Sequence, residues 1–173
     1  EAIPALDDGA VAAALAAGAV VLDARGAIAF TAGHLAGAVS VPLDGRMAET
    51  AGIVFRPDQP LVVMASPGQE QEAALRLARI GFDRTLGYIA DPQTYLLAHQ
   101  DQVIQASRLT VAQVDGARAT DGSVHLIGIR NPGATAAGVI PGATTLPLPE
   151  LPQRLAELDP TAPVVLYCAG GWR

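Results

Sequence analysis

The sequence predicts an α/β fold made of two similar units, each a parallel five-stranded sheet flanked by helices, the second of them cut short. Three observations carry this reading. Runs such as Leu61-Val62-Val63-Met64 and Val164-Val165-Leu166-Tyr167 are apolar without alternation, which suits strands covered on both faces. A helical pattern, Glu-Gln-Glu-Ala-Ala-Leu-Arg-Leu-Ala-Arg-Ile over residues 70–80, alternates with them. The chain also repeats itself: Leu22-Asp23-Ala24-Arg25 followed by Gly37-Ala38 and Pro42 returns about 105 positions later as Ile127-Gly128-Ile129-Arg130 with Gly142-Ala143 and Pro147.

Taken in order, Asp7 or Asp8 caps a helix over residues 10–17. An apolar strand through Val20-Val21-Leu22 follows, then a polar loop and an extended segment over residues 33–42. The strand Leu61-Val62-Val63-Met64 comes next, then the helix over residues 70–80, stopped by Gly81, and a last strand over residues 85–89. Asp91-Pro92 breaks that strand, and the polar run His99-Gln100-Asp101-Gln102 marks a linker over residues 91–108, within which Tyr95-Leu96-Leu97-Ala98 reads as a short helix packed on the first domain. The second copy, residues 109–173, restarts with Thr110 capping residues 111–117 and runs through His125-Leu126-Ile127 to Val164-Val165-Leu166-Tyr167-Cys168. Domains are therefore expected at residues 1–90 and 109–173.

Composition bounds the function. Of 173 residues, 50% are hydrophobic and 16% charged, which excludes a disordered chain. One cysteine excludes a disulfide scaffold. A net charge of −6 without any basic run argues against nucleic acid as a partner. The longest apolar stretch, residues 10–22, is interrupted by Gly18 and too short to span a bilayer, so no membrane partner is expected. The chain opens Glu-Ala-Ile-Pro without an initiator Met or a signal pattern, which reads as an excised piece of a cytoplasmic protein.

The chemistry converges on Cys168-Ala169-Gly170-Gly171-Trp172-Arg173, at the carboxyl end of a buried strand, where open α/β sheets place their sites. Adjacent glycines let successive N–H groups turn inward as an anion-receptive nest, and Arg173 adds a permanent positive charge. Both favour thiolate over thiol. Cys168 is the expected nucleophile. The backbone of Ala169, Gly170, Gly171 and Trp172 forms the expected cradle, and Arg173 orients an anionic donor or stabilises the thiolate. Trp172 either lines the mouth or anchors packing. No metal or other cofactor is expected, because His34, His99 and His125 are scattered. His34 reads as a loop-fixing hydrogen bonder.

At these residues the chain resembles the rhodanese superfamily of sulfurtransferases. The marks are Asp23-x-Arg25, Gly33-His34-x-x-Gly37-Ala38-x-x-x-Pro42 and Cys168-x-x-Gly171-x-Arg173. The resemblance implies attack by the Cys168 thiolate on the outer sulfur of thiosulfate or a low-molecular-weight persulfide, and delivery of that sulfur from a Cys168 persulfide to a second nucleophile. Phosphatases and arsenate reductases of similar architecture resemble Cys-x5-Arg, one residue longer, and the shorter loop disfavours them. Pro67-Gly68-x-Glu70-x-Glu72-Ala73, Arg76-Leu77-Ala78-Arg79-Ile80-Gly81-Phe82-Asp83 and Gly87-Tyr88 resemble the degenerate rhodanese that follows a metallo-β-lactamase-fold hydrolase in persulfide-dioxygenase-like fusion proteins. That likeness implies an attached hydrolase domain as partner.

The copies depart from the pattern. Ala65 stands at the nucleophile position of the first copy and Glu70 at the arginine's, so no thiolate chemistry is expected there. In the second copy Gly128 replaces the Asp and Gly138-Val139 replaces Gly-His. The family pattern continues past the cysteine loop with a helix and a strand, which implies weak or absent turnover from this chain. The alternative to a sulfurtransferase module is a noncatalytic rhodanese-like tandem that docks partners.

Overall fold

Asp7 opens the first helix by accepting the Ala10 N–H at 2.8 Å, and α1 (Asp8–Ala16) runs to the turn at Gly18. The computed structural model describes residues 2–136 and 138–169 and divides into two units, Glu1–Ser107 and Arg108–Arg173.

In the first unit β1 (Val20–Asp23) leads through α2 (Ala27–Ala32), β2 (His34–Leu35), β3 (Val39–Ser40) and α3 (Met47–Val54) to β4 (Leu61–Met64), then to α4 (Glu70–Ala78) and β5 (Thr85–Ile89). The strands form a parallel sheet in the order β3-β1-β4-β5. β4 is buried at every residue, which explains its unbroken apolar run. Leu61 and Val63 face one core cluster with Met47 of α3, Leu77 of α4 and Phe82, while Val62 and Met64 face another with Val11 of α1 and Tyr95. Each such side chain contributes roughly 2 kcal/mol by its burial, which a polar substitution at Val62 or Val63 would remove.

Each unit was expected to hold five strands. The first forms four, and the fifth position is a single bridge, Ala5 to Tyr88. It ends after one residue because Asp7 already turns into the cap of α1. Gly87 permits the approach: a Cβ there would lie 2.6 Å from both Leu6 Cγ and the Pro4 oxygen. α4 stops at Ala78, two residues before the expected end, as Gly81 takes φ +86° and the Phe82 N–H turns back to the Leu77 carbonyl at 3.2 Å.

The segment over residues 91–108, expected to be a linker, is largely structured within the first unit. Asp91 caps α5 (Pro92–Ala98), a one-turn helix follows, and β6 (Val103–Ile104) pairs antiparallel with β2. Its polar composition reflects solvent exposure on one side, while Tyr95 reaches the core.

In the second unit α6 (Val111–Thr120) begins with a capping box between Thr110 and Gln113. β7 (His125–Gly128), α7 (Pro132–Thr135), β8 (Thr144–Thr145), α8 (Leu151–Arg154) and β9 (Val164–Tyr167) follow. The sheet is parallel in the order β8-β7-β9, three strands rather than five among the described residues. Leu126, Ile127, Ile129 and Leu146 are buried. β9, expected to be covered on both faces, is an edge strand among the described residues, with Val164 and Leu166 40% and 50% exposed. Among the described residues no helix is long and apolar enough to cross a membrane.

Candidate functional site

The register of β7 and β9 builds the site of the second unit. Gly128 lies opposite Tyr167, and the Ile129 N–H donates to the Tyr167 carbonyl at 3.0 Å. Cys168 therefore leaves the carboxyl end of β9 at the same sheet edge at which Ile129 leaves β7. Cys168 is half-buried and Ala169 exposed. Gly170, Gly171, Trp172 and Arg173 lie outside the described residues.

The corresponding end of the first unit is built differently. Arg25 follows β1 and is held by Asp23: Nε donates to Oδ1 at 2.9 Å and the terminal nitrogen to Oδ2 at 2.6 Å. The same nitrogen donates to the Gly33 carbonyl at 2.8 Å, and both side chains are nearly out of water. His34 lies against Phe30, ring centroids 3.8 Å apart, with Nδ1 2.9 Å from the Phe30 carbonyl, so it serves the α2 turn. Ala65, buried, stands at the position of Cys168. In the loop after it Gly68 takes φ +86°, and its N–H donates at 3.1 Å to Oε1 of Glu70, itself 6% exposed. A backbone amide of that loop thus binds an internal carboxylate.

The second unit lacks the Asp23 counterpart for a steric reason. A Cβ on Gly128 would lie 2.7 Å from Tyr167 Oη and 2.8 Å from its Cζ, so the phenol fills that space. Arg130 keeps the backbone contact, donating to the Gly138 carbonyl, yet its Nε is buried without a hydrogen-bond partner. The repeat identified Arg130 in the sequence, but not this environment, because nothing in residue order says that Tyr167 occupies the room at Gly128.

Among the described residues a cleft opens in each unit. In the first unit about 800 Å³ opens among Arg25, Gly33, Gln93, Leu97, Gln100 and Val103. In the second, about 550 Å³ opens at the amino end of β7 among Asp115, Arg118, Asp121 and His125, at the opposite end of the strand from Cys168. Among the described residues no three His, Cys, Asp or Glu side chains converge as a metal site.

Parallel sheets packed with helices, repeated in two units, define an α/β architecture. The chain belongs to the rhodanese-like domain family, whose model matches residues 7–96 and 110–173. It is 42% identical over 50 residues to a protein named sulfurtransferase from Allochromatium vinosum, covering 29% of this chain and 47% of that one. Over 105 residues it is 30% identical to the HTH-type transcriptional regulator Rv0324 of Mycobacterium tuberculosis, covering 61% of this chain and 44% of that one. The matches thus span less than half the length of these curated relatives.

Among solved structures, the chain resembles the rhodanese-like domain of the Alr3790 protein from Anabaena sp. (TM-score 0.50, 17% identity, 62% of this chain and 90% of that one). It also resembles EanB in a persulfide form with ergothioneine (TM-score 0.52, 18% identity, 83% of this chain and 41% of that one). Both likenesses concern the fold.

Proposed function

We propose that this chain is a sulfurtransferase module in which Cys168 carries sulfane sulfur and the first unit has no covalent chemistry. The observation that carries the reading is the half-buried position of Cys168 at the carboxyl end of β9, within a segment that matches the rhodanese-like family. The thiolate attacks the outer sulfur of thiosulfate. A bond forms between Sγ and that sulfur, the S–S bond of thiosulfate breaks, and sulfite leaves with the electron pair. The Cys168 persulfide anion then gives its outer sulfur to a thiolate or cyanide, and the Cys168 thiolate is regenerated. A low-molecular-weight persulfide serves the first step equally, its thiolate taking the place of sulfite.

Ala169, Gly170, Gly171 and Trp172 supply the backbone cradle in this reading, and Arg173 offsets the negative charge of donor and thiolate. The metallo-β-lactamase-fold hydrolase domain implied by the sequence resemblance is the natural source or recipient of the sulfur.

Ala65 removes the nucleophile from the first unit, and the Glu70 carboxylate accepts the Gly68 N–H that faces it. The test is thiocyanate formation from thiosulfate and cyanide. Wild type should produce it only slowly, Cys168→Ser should not produce it at all, and changing Ser66, the residue after Ala65 in the first unit, to Ala should match wild type. Equal thiocyanate from Cys168→Ser overturns the assignment. A second reading, a noncatalytic docking tandem, is favoured by exposed Val164 and Leu166 on β9 and predicts partner binding with no thiocyanate.

A further inference from the structure

We propose that the cleft of the first unit among Arg25, Gln93, Leu97, Gln100, Val103 and Gln105 is a docking groove for a partner's extended, uncharged peptide segment, which adds a strand to the free edge of β6. The proposal concerns the first unit alone and stands whether or not Cys168 carries sulfur.

β6 has a neighbouring strand on one side only. It pairs antiparallel with β2, and the Ala36 N–H donating to the Gln102 carbonyl at 2.8 Å and the Ala106 N–H donating to the Thr31 carbonyl at 2.9 Å bracket that pairing. Alternate residues of an antiparallel strand turn their backbone groups to opposite sides, so those of Val103 and Gln105 point away from β2. The Val103 N–H closes the preceding turn on the Gln100 carbonyl. The Val103 carbonyl and both backbone groups of Gln105 have no protein partner among the described residues, and Gln105 is exposed. That is the row of donors and acceptors an incoming strand needs.

The cleft sets what that strand carries. Val103 and Gln105, two residues apart, share one face and both line the cleft, so a strand added beside them lays every second side chain over the same cleft. Its volume, about 800 Å³, lies in the range of ligand sites. Leu97, 62% exposed, offers an apolar wall that such side chains would cover. The carboxamides of Gln93, Gln100 and Gln105 each donate to a carbonyl and accept from an N–H, as a peptide backbone requires. Arg25 is the one charged residue among those lining the cleft, and Asp23 balances its charge. Nε and one terminal nitrogen of Arg25 are engaged by Asp23 and the Gly33 carbonyl, and the other terminal nitrogen has no acceptor among the described residues. This side chain is only 10% exposed and lines the cleft, so the cleft is where a neutral carbonyl can reach the unused donors. A charged peptide side chain would give up its hydration here without an ion pair in return.

The experiment exposes the whole isotope-labelled chain to short synthetic peptides, acetylated and amidated at their ends. One set is built from Ala, Val, Leu, Ser, Thr and Gln, and a matched set carries Asp, Glu or Lys at every second position. Binding is read from the NMR resonances of the Gln105 backbone amide and the Arg25 side chain, and affinity by calorimetry. Peptides of the uncharged set should move both resonances, and the charged set should not. For the tightest peptide, Leu97→Asp should weaken binding roughly tenfold or more while keeping the far-UV circular dichroism of wild type. N-methylation of alternate peptide amides should weaken it to a similar degree, since it removes the strand's donors. Gln105 and Arg25 resonances that stay put for every uncharged peptide at millimolar concentration overturn the proposal. So does a peptide whose affinity survives both Leu97→Asp and N-methylation, or a charged set that binds as tightly as the uncharged one.

Discussion

Asp23 grips Arg25 with both carboxylate oxygens, the closest contact 2.6 Å, and the two side chains are 0% and 10% exposed. Removing one partner leaves the other charge buried and alone, the costlier half of any buried ion pair. Asp23→Ala should therefore destabilise the first unit by about 3–5 kcal/mol in urea denaturation. Replacing both, as Asp23→Leu with Arg25→Met, should restore most of that loss. A double variant as unstable as the single one contradicts the assignment.

The contact between Gly87 and the amino-terminal segment predicts a second effect. Gly87→Ala would push a methyl into Leu6 Cγ and the Pro4 oxygen, both 2.6 Å away. The expected cost is about 1–3 kcal/mol. Hydrogen exchange should show faster loss of the Leu6 and Tyr88 amide protons, which bond the Tyr88 and Pro4 carbonyls at 2.9 Å each. Unchanged exchange at both amides argues against it.

Acid stability should depend in part on Asp91. Its carboxyl is held below the ordinary 3.8 chiefly by the Thr94 backbone N–H, then by the Thr94 hydroxyl. A folded-state pKa below the unfolded one gives stabilisation that is complete above the unfolded value and is lost as pH falls through the folded value. The urea midpoint of wild type should thus fall below about pH 4 more steeply than that of Asp91→Asn. Parallel curves for the two proteins would remove Asp91 as a contributor.

The second unit should feel its first cap. Thr110 accepts the Gln113 N–H at 3.3 Å, while the Gln113 side chain accepts the Thr110 N–H at 2.8 Å. Thr110→Ala should cost about 1 kcal/mol, seen as faster amide exchange in the first turn of α6. Thr110→Asn should restore most of the protection.

Much of this architecture is legible in residue order because it follows from burial on two faces. The run Leu61-Val62-Val63-Met64 can be apolar throughout only if both sides of β4 are covered, and they are. α1 and α6 are legible through Asp7 and Thr110, whose side chains bond the first-turn amides. α2 and α3 pass unnoticed for the complementary reason: Gly26 and Arg46 at their caps make no side-chain bond, and neither helix is long enough to show a period. The linker reading of residues 91–108 failed because β6 is two residues long, and its pairing with His34 and Leu35 is long-range. At the site, Cys168 is visible through its loop spacing. The unpaired Nε of Arg130 is not, since it depends on where the ring of Tyr167 lies.

The central claim is that Cys168 becomes a persulfide. After exposure of the whole chain to thiosulfate and removal of excess donor, mass analysis of the peptide containing Cys168 should show one added sulfur atom, released by cyanide and not formed in Cys168→Ser. A Cys168 peptide of unaltered mass, in protein with a native far-UV spectrum, would contradict the account.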